Sequence, residues 1–138
     1  MATKYILDAC ALTAFLYDET GAEVVQTILE DAKNQKNIVY MNKLNLYEVY
    51  YNVKRAEGDS QAENLYNITL KLPINIISDF SDDTFRGAAQ LKAKYKMSLA
   101  DSIALGEAVA QGATIVTADH HELDVVEENE SIKFAWIR

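Results

Sequence analysis

The chain has 138 residues, of which 49% are hydrophobic and 25% are charged, and its formal net charge is −8. These values are typical of one globular domain, and they exclude a disordered tail and a collagen-like fibre. The single cysteine excludes a small scaffold held together by internal disulfides. We expect a single domain over residues 1–138 without a membrane span, since no apolar run approaches about 18 residues.

Short apolar runs alternate with helical patterns along the whole chain. The predicted strands cover residues 5–7, 37–41, 74–77, 113–116 and 132–137. The predicted helices cover residues 9–17, 20–34, 43–57, 60–71, 82–95 and 98–112, and a short helical turn follows Asp119. Capping-box spacing, a Ser or Thr followed three residues later by Glu, indicates helix starts at Thr20 and Ser60. The alternation predicts an α/β fold with a mainly parallel sheet of four to five strands, flanked by helices.

The first residues are expected to belong to the folded domain rather than to a secretory signal. Asp8 follows the short apolar run 5–7, so a charge comes too early for a signal-peptide core. The lone Cys10 is compatible with a reducing compartment. We therefore expect a cytoplasmic protein.

The negative charge is concentrated in the last third of the chain. Between Met97 and Ile132 there is no Lys or Arg, but there are eight acidic residues. A solvated acidic surface explains such a stretch as well as a set of carboxylates that converge on a cation does. Because an acidic chain attracts polyanions poorly, binding of nucleic acid would need a local basic patch or a bridging metal ion.

Two acids follow predicted strands. Asp8 comes directly after the first strand, in an otherwise apolar stretch, and Asp119 comes shortly after the fourth. In parallel sheets, sites form beyond the carboxyl ends of the strands, so both residues are candidates for a site. The alternative is that each one only caps the helix that follows it.

Two further acids lie in predicted helices. Glu48 shares a helix face with Tyr51, and the alternative to a site role is that it reaches solvent and pairs with Arg55. Asp101 lies on a stripe of small apolar residues, and the alternative is that it is an acid of the first helical turn, three residues after Ser98.

A divalent cation is the natural partner of four acids at one edge of a sheet. Clustered carboxylates repel one another, so some of them stay protonated unless a cation neutralises them. Oxygen ligands favour a hard ion such as Mg²⁺ or Mn²⁺. The adjacent His120 and His121 are expected on the surface, and no set of Cys and His with the spacing of a structural zinc site is present.

Four segments, each with one of these acids, carry a family resemblance. They are YILDACAL at 5–12, LYEV at 46–49, SLADSIAL at 98–105 and IVTAD at 115–119. With these segments in this order, the chain resembles the PIN-domain ribonucleases, and most closely the VapC-type toxins of bacterial and archaeal toxin–antitoxin pairs. The resemblance runs over nearly the whole chain.

The resemblance implies a PIN-like fold and a metal-dependent endoribonuclease that hydrolyses RNA phosphodiesters. The catalytic residues that it places around one or two Mg²⁺ or Mn²⁺ ions are Asp8, Glu48, Asp101 and Asp119, with Thr117 in support. It also implies a homodimer and a cognate antitoxin protein as inhibitor. Many relatives have Ser or Thr after the first Asp, whereas this chain has Ala9 and then Cys10, which removes a hydroxyl but no carboxylate.

A basic segment precedes the third acid. Its members, which are candidates for RNA binding, are Arg86, Lys92, Lys94 and Lys96. Phosphate contacts beside the metal are one interpretation. The alternative is that these lysines only complement the carboxyl end of a helix.

Two other classes of protein remain as alternatives. The first is a catalytically inactive PIN-like binding module whose acids serve as caps. The second is a phosphoryl-transfer domain, either a receiver or a haloacid-dehalogenase-like phosphatase. It is disfavoured because Cys10 stands where the phosphatase has a second Asp, and because a receiver has paired acids where this chain has Ile6 and Leu7.

Overall fold

Five strands of one sheet organise the computed structural model, which describes residues 2–138. The strands are β1 (Thr3–Leu7), β2 (Asn37–Asn42), β3 (Asn75–Ile77), β4 (Thr114–Thr117) and β5 (Phe134–Trp136). The helices are α1 (Ala9–Leu16), α2 (Ala22–Lys33), α3 (Lys43–Glu57), α4 (Asp59–Leu70), α5 (Asp82–Lys94), α6 (Leu99–Gln111) and α7 (His120–Asn129). The predicted α/β fold is confirmed.

The order of the strands creates a crevice at the centre of the sheet. The order is β3-β2-β1-β4-β5, and every neighbouring pair is parallel. The chain therefore moves to one side of β1 for β2 and β3 and crosses to the other side for β4 and β5. Such a reversal leaves a crevice beyond the carboxyl ends of β1 and β4. Asp8 follows β1 directly, and Asp119 lies two residues after β4.

Helices cover both faces of the sheet. Leu7 belongs to the same buried cluster as Val39 and Val116, whereas Ile6 belongs with Ile115 to the cluster on the other face. All five side chains are at most 1% exposed. Burial on both faces explains why these parallel strands are continuous apolar runs in the sequence. It also holds the ends of β1 and β4, and the acids that follow them, in fixed positions.

Two predicted helix starts are wrong. The N-cap positions of α2 and α4 are occupied by Gly21 and Gly58, and neither Thr20 nor Ser60 caps a helix. The φ angles of these glycines are 98° and 95°, in the left-handed region that favours glycine. A Cβ at Gly21 would also lie 2.5 Å from the backbone oxygen of Ile137. The tight turn before each helix therefore decides where the helix begins.

The last helix is longer than the predicted turn. α7 has ten residues, and its apolar face is carried by Leu123 and Val126, which are at most 1% exposed. Asp124, Glu127 and Glu128, which lie between and after these two residues, are exposed and make the apolar spacing hard to recognise in the sequence. Among the helices of residues 2–138, none combines the length and the hydrophobicity that crossing a bilayer requires.

Helices α5 and α6 approach each other closely at a glycine. A Cβ at Gly106 would lie 2.8 Å from both the Thr84 carbonyl oxygen and the Ala88 Cβ. On the facing helix, a Cβ at Gly87 would meet its nearest atoms at 3.7 Å, which is an ordinary contact. Gly106 is therefore required for the close packing of α6, the helix that carries Asp101.

Gly106→Ala is expected to lower the free energy of unfolding by about 1–3 kcal/mol, because the new Cβ must displace the backbone of α5. Gly87→Ala is the matched control, since it adds the same methyl group where there is room. We expect it to leave stability unchanged or to raise it by up to about 1 kcal/mol through its better helix propensity. Urea unfolding measures both, and equal stability of the two variants would contradict the close packing.

Candidate active site

Asp8 is the most deeply buried acid at the central crevice. Its side chain is 2% exposed, and its Oδ1 accepts a 2.8 Å hydrogen bond from the Ala11 backbone N–H, which caps α1. The capping role considered for Asp8 therefore exists, but it uses only one carboxylate oxygen. The other, Oδ2, is buried without a hydrogen-bond partner. Buried polar atoms are normally paired, so this oxygen is available to a ligand.

Asp119 lies at the start of α7. Its Oδ1 accepts a 3.2 Å hydrogen bond from the Glu122 backbone N–H and so caps the helix. The Thr117 hydroxyl is fully buried and accepts a 3.1 Å hydrogen bond from the Asp119 N–H. Thr117 therefore fixes the turn that directs Asp119 to the edge of the sheet.

Helix α6 brings Asp101 to the same edge. Ser98 caps this helix, because its Oγ accepts a 3.1 Å hydrogen bond from the Asp101 N–H. The backbone N–H of Ser98 in turn donates to Glu122 Oε2 at 3.1 Å. The starts of α6 and α7 are thus bonded to each other across the site.

Three carboxylates meet at this junction. One oxygen from each of Asp101, Asp119 and Glu122 lies within 4.8 Å of the other two. Sequence reasoning missed Glu122, which stood among eight acids of one stretch. A signal was available, since Glu122 lies three residues after Asp119, a spacing that places two side chains on one side of a helix.

Five acids line one cleft, which has a volume of about 550 Å³, and Glu19 is one of them. Asp8 is not among the lining residues, although Ala9 and Cys10 directly after it are. Glu48 reaches it from α3, and Asp101, Asp119 and Glu122 reach it from α6 and α7. Arg55, the ion-pair partner considered for Glu48, instead contacts an aromatic ring. Its guanidinium carbon lies 5.5 Å from the centre of the Tyr51 ring. A cavity of about 750 Å³ opens near the start of β4, but Glu130 is the one acid among its described lining residues.

Burial raises the pKa of Asp8 from 3.8 to about 6. The Thr117 hydroxyl and the Ala11 N–H oppose this rise, and the negative charges of Asp119 and Glu48 add to it. Removal from water dominates, since a buried carboxylate loses the hydration that favours its charged form.

The pKa values of three other acids in the site are also shifted. Burial raises the pKa of Asp101, and its hydrogen bond to Glu122 and the charges of Asp8 and Asp119 raise it further. The pKa of Glu122 is lowered, because it accepts that hydrogen bond. Burial also raises the pKa of Glu48, with Glu122 and Asp119 as further causes. Without a cation, the cluster therefore retains protons.

These donors fit a hard divalent ion. Two oxygens on opposite sides of a Mg²⁺ ion are about 4.2 Å apart, close to the spread of the three carboxylates here. The Oδ2 of Asp8 adds a buried acceptor that makes no hydrogen bond, although the Thr117 hydroxyl lies near enough to favour the charged form of this carboxyl. All of the donors are oxygens, which suits Mg²⁺ or Mn²⁺.

The basic segment predicted to bind RNA is exposed but partly engaged within the chain. Lys92 Nζ donates to the Met97 carbonyl oxygen at 2.7 Å, and Lys94 Nζ lies 2.8 Å from Glu130 Oε2. Glu130 follows the end of α7, about 15 Å along the helix from Asp119 at its start. Lys94 is therefore held away from the cleft. The residues whose RNA contacts stay predictions are Arg86, Lys92, Lys94 and Lys96.

Nearby side chains with nitrogen or sulfur donors have other contacts. His120 and His121 are exposed, and the His120 ring stacks on Trp136 with 3.8 Å between ring centres. Cys10 is a half-buried free thiol at the cleft, and burial raises its pKa to about 11. A thiol with this pKa stays protonated at neutral pH and behaves as a small apolar group.

Solved structures with this fold include chains described as VapBC2, as a toxin–antitoxin complex and as a toxin. A chain of VapBC2 from Rickettsia felis, bound to a DNA fragment from its promoter, has a TM-score of 0.75 and 21% identity, with 96% of this chain and 98% of that chain covered. A toxin–antitoxin complex from Klebsiella pneumoniae has a TM-score of 0.66 and 16% identity, with 97% and 98% covered. VapC20 from Mycobacterium tuberculosis, described as a sarcin-ricin loop cleaving toxin, has a TM-score of 0.59 and 14% identity, with 80% and 86% covered. These likenesses establish the fold.

The sequence itself matches one family. No curated protein shows a significant match to the chain. The family model for the PIN domain, however, matches residues 5–129, which include every acid of the cleft. The resemblance found in the four sequence segments is confirmed: the chain belongs to the PIN domain family.

Proposed function

We propose that this protein is a metal-dependent endoribonuclease that hydrolyses RNA phosphodiesters and acts as the toxin of a toxin–antitoxin pair. One observation carries the proposal, namely the convergence of Asp101, Asp119 and Glu122 at one junction. Asp8, whose Oδ2 is unpaired, is near enough for its charge to raise the pKa of Asp101. Membership of the PIN family, whose members include nucleases, supports a hydrolase. The proposal places the protein in the cytoplasm, together with its RNA substrate.

The metal ligands that we propose are Asp8, Glu48, Asp101, Asp119 and Glu122. When bound, Mg²⁺ or Mn²⁺ lowers the pKa of a water molecule and neutralises negative charge on the phosphate. The chain fixes two of the ligands in advance, because Asp8 and Asp119 each commit Oδ1 to a helix cap. Their second oxygens are thereby held in set directions without further loss of side-chain entropy on binding.

Glu48 is the residue that we propose as proton acceptor. It lies at the edge of the cleft, half-buried on α3, and burial together with the charges of Glu122 and Asp119 raises the pKa of its carboxyl. A higher pKa makes a carboxylate a better base, provided that it is still ionised at the working pH. Glu48 is therefore suited to take a proton at a carboxylate oxygen that does not bind the ion.

The substrate that we propose is RNA. Support comes from the PIN family and from VapC20, the structural neighbour described as cleaving the sarcin-ricin loop. The acids that line the cleft repel phosphate, so a metal ion must bridge the substrate to the chain. Binding of RNA should accordingly depend on the divalent ion more than on any basic patch.

The partners that we propose are a second copy of the chain and a small cognate antitoxin. The antitoxin is supported by the neighbours from Rickettsia felis and Klebsiella pneumoniae, which are described as VapBC2 and as a toxin–antitoxin complex. Large apolar side chains on the surface provide area for such contacts, among them Tyr47, Phe80, Phe85 and Leu99, each more than half exposed.

A catalytically inactive PIN-like binding module is the alternative. It is favoured by the caps that Asp8 and Asp119 provide for α1 and α7, since these roles alone would account for both residues. The two functions differ in one property: a protein that binds Mn²⁺ in its native state must melt at a higher temperature when Mn²⁺ is added.

Asp101→Asn and Glu122→Gln are expected to reduce Mg²⁺-dependent RNA cleavage by about two to three orders of magnitude, because each removes a charge at the proposed ion. The same variants should lose most of the rise in melting temperature that Mn²⁺ produces. Asp82→Asn and Glu128→Gln are matched controls, since they change the same residue types at exposed positions of α5 and α7. Undiminished cleavage by both site variants would contradict the proposal.

Without metal, the stability of the protein is expected to fall as the pH rises from about 4 to 7. Asp8 binds its proton more tightly in the folded state, with a pKa of about 6 against 3.8, so the folded state holds more protons over this interval. The stability that Asp8 contributes is fully present below pH 3.8, the pKa of the unfolded state, and is lost as the pH rises through about 6, the pKa of the folded state. A change in the pKa of Asp8 from 3.8 to about 6 corresponds to roughly 3 kcal/mol.

Asp8→Asn should remove this part of the pH dependence, because an amide stays neutral while its oxygen can still cap α1. Thermal melts in EDTA at pH 5 and pH 7.5 test it. The variant should lose less stability between the two pH values than the wild type, whereas the exposed Asp82→Asn should follow the wild type. Parallel curves for Asp8→Asn and the wild type would show that Asp8 is not strained in the folded state.

A further inference from the structure

A buried asparagine joins the two helices that carry Glu48 and Asp101. Asn45 is 0% exposed, and its Nδ2 donates a 3.0 Å hydrogen bond to the Ala100 carbonyl oxygen. Asn45 lies three residues before Glu48, on the same face of α3. Ala100 directly precedes Asp101 in the first turn of α6. The hydrogen bond is therefore one helical turn from one proposed ligand and one residue from the other.

A second contact joins the same two helices. Asn42 caps α3 by accepting a 2.8 Å hydrogen bond from the Leu44 N–H, and its Nδ2 lies 3.4 Å from Glu107 Oε1. Glu107 is 1% exposed and also accepts a 2.7 Å hydrogen bond from the Thr84 hydroxyl. The two contact points on α6 are about 10 Å apart along the helix, so together they oppose both sliding and rotation of α3.

The side-chain amide of Asn45 lowers the stability of the folded state. Its Oδ1 is buried and has no hydrogen-bond partner. An unsatisfied buried polar atom destabilises the folded state, whereas an apolar side chain at this position would avoid that cost. Residues that reduce stability in this way are typical of functional sites, where activity needs an arrangement that stability alone does not favour.

We propose that Asn45 is a positioning residue of the metal site, which sets the separation of the Glu48 and Asp101 carboxylates through the Ala100 carbonyl group. The inference rests on the proposed function, because it requires that these carboxylates act on one metal centre. Groups that orient metal ligands typically change affinity or activity 10- to 100-fold when they are removed. Asn45→Ala should have an effect of this size.

The chain offers a matched control in Asn37. Asn37 lies at the start of β2, at the opposite edge of the sheet from the cleft, and is 9% exposed. Its Nδ2 donates a 3.2 Å hydrogen bond to the Ile28 carbonyl oxygen, and its Oδ1 also lacks a partner. Asn37→Ala therefore removes the same kind of buried hydrogen bond at a distance from the acids.

Titration calorimetry with Mn²⁺ on the full chain is the primary experiment. We expect Asn45→Ala to bind Mn²⁺ roughly 10- to 100-fold more weakly than the wild type, and Asn37→Ala to bind it with unchanged affinity. The metal-free melting temperatures of the two variants should change by similar amounts. In RNA cleavage at saturating Mn²⁺, Asn45→Ala should lower kcat and leave KM unchanged, because the RNA-binding surface is intact.

Wild-type affinity in Asn45→Ala, or an equal loss of affinity in both variants, would overturn the positioning role. If Asn45→Ala does not fold, Asn45→Ser decides in the same way, because its shorter side chain cannot reach the Ala100 oxygen. A wild-type protein that binds no Mn²⁺ would end the proposed function and this inference together. A wild type that binds Mn²⁺ beside an unaffected Asn45→Ala would end the inference alone.

Discussion

Burial of acids at the end of a sheet is the constraint on which this structure depends, and repulsion between these acids adds to it. Asp8 is only 2% exposed. Burial raises its pKa to about 6, although the Ala11 N–H and the Thr117 hydroxyl favour its charged form. Removing a charge from water costs several kcal/mol unless a partner compensates. No lysine or arginine occurs between Met97 and Ile132, and the positive charges that reach the cluster include Lys92 and His121, which lower the pKa of Glu122. A divalent ion is the compensation that fits.

The strands and helices that build the fold also bring these acids to one place. The reversal of strand order between β1 and β4 brings Asp8 and Asp119 to one crevice, and each then caps the helix that follows. A cap uses one oxygen of a carboxylate and leaves the other free. A capping role and the proposed metal-binding role are therefore compatible in one residue, because the rigid helix starts hold the free oxygens in fixed directions. The link from Asn45 to Ala100 extends this rigidity to α3.

Patterns of neighbouring residues in the sequence predicted those features that depend only on neighbouring residues. Asp8 and Asp119 were recognisable because a charge after an apolar strand marks the strand end. Thr20 failed as a helix cap because backbone packing at the following glycine decides that start. Glu122 was hidden among other acids: its spacing from Asp119 was a signal, but the meeting of α6 and α7 is what distinguishes it from the rest. The engagement of Lys94 depends on a partner 36 residues away, which no local spacing reveals.

Crystals grown with Mn²⁺ and measured near the manganese absorption edge test the central claim most directly. We expect an anomalous peak in the cleft, with oxygens of Asp101, Asp119 and Glu122 at about 2.1 Å, or one bridging water farther, and Asp8 Oδ2 facing the ion. Full-strength RNA cleavage by a protein whose manganese peaks all lie outside this cleft would contradict the claim.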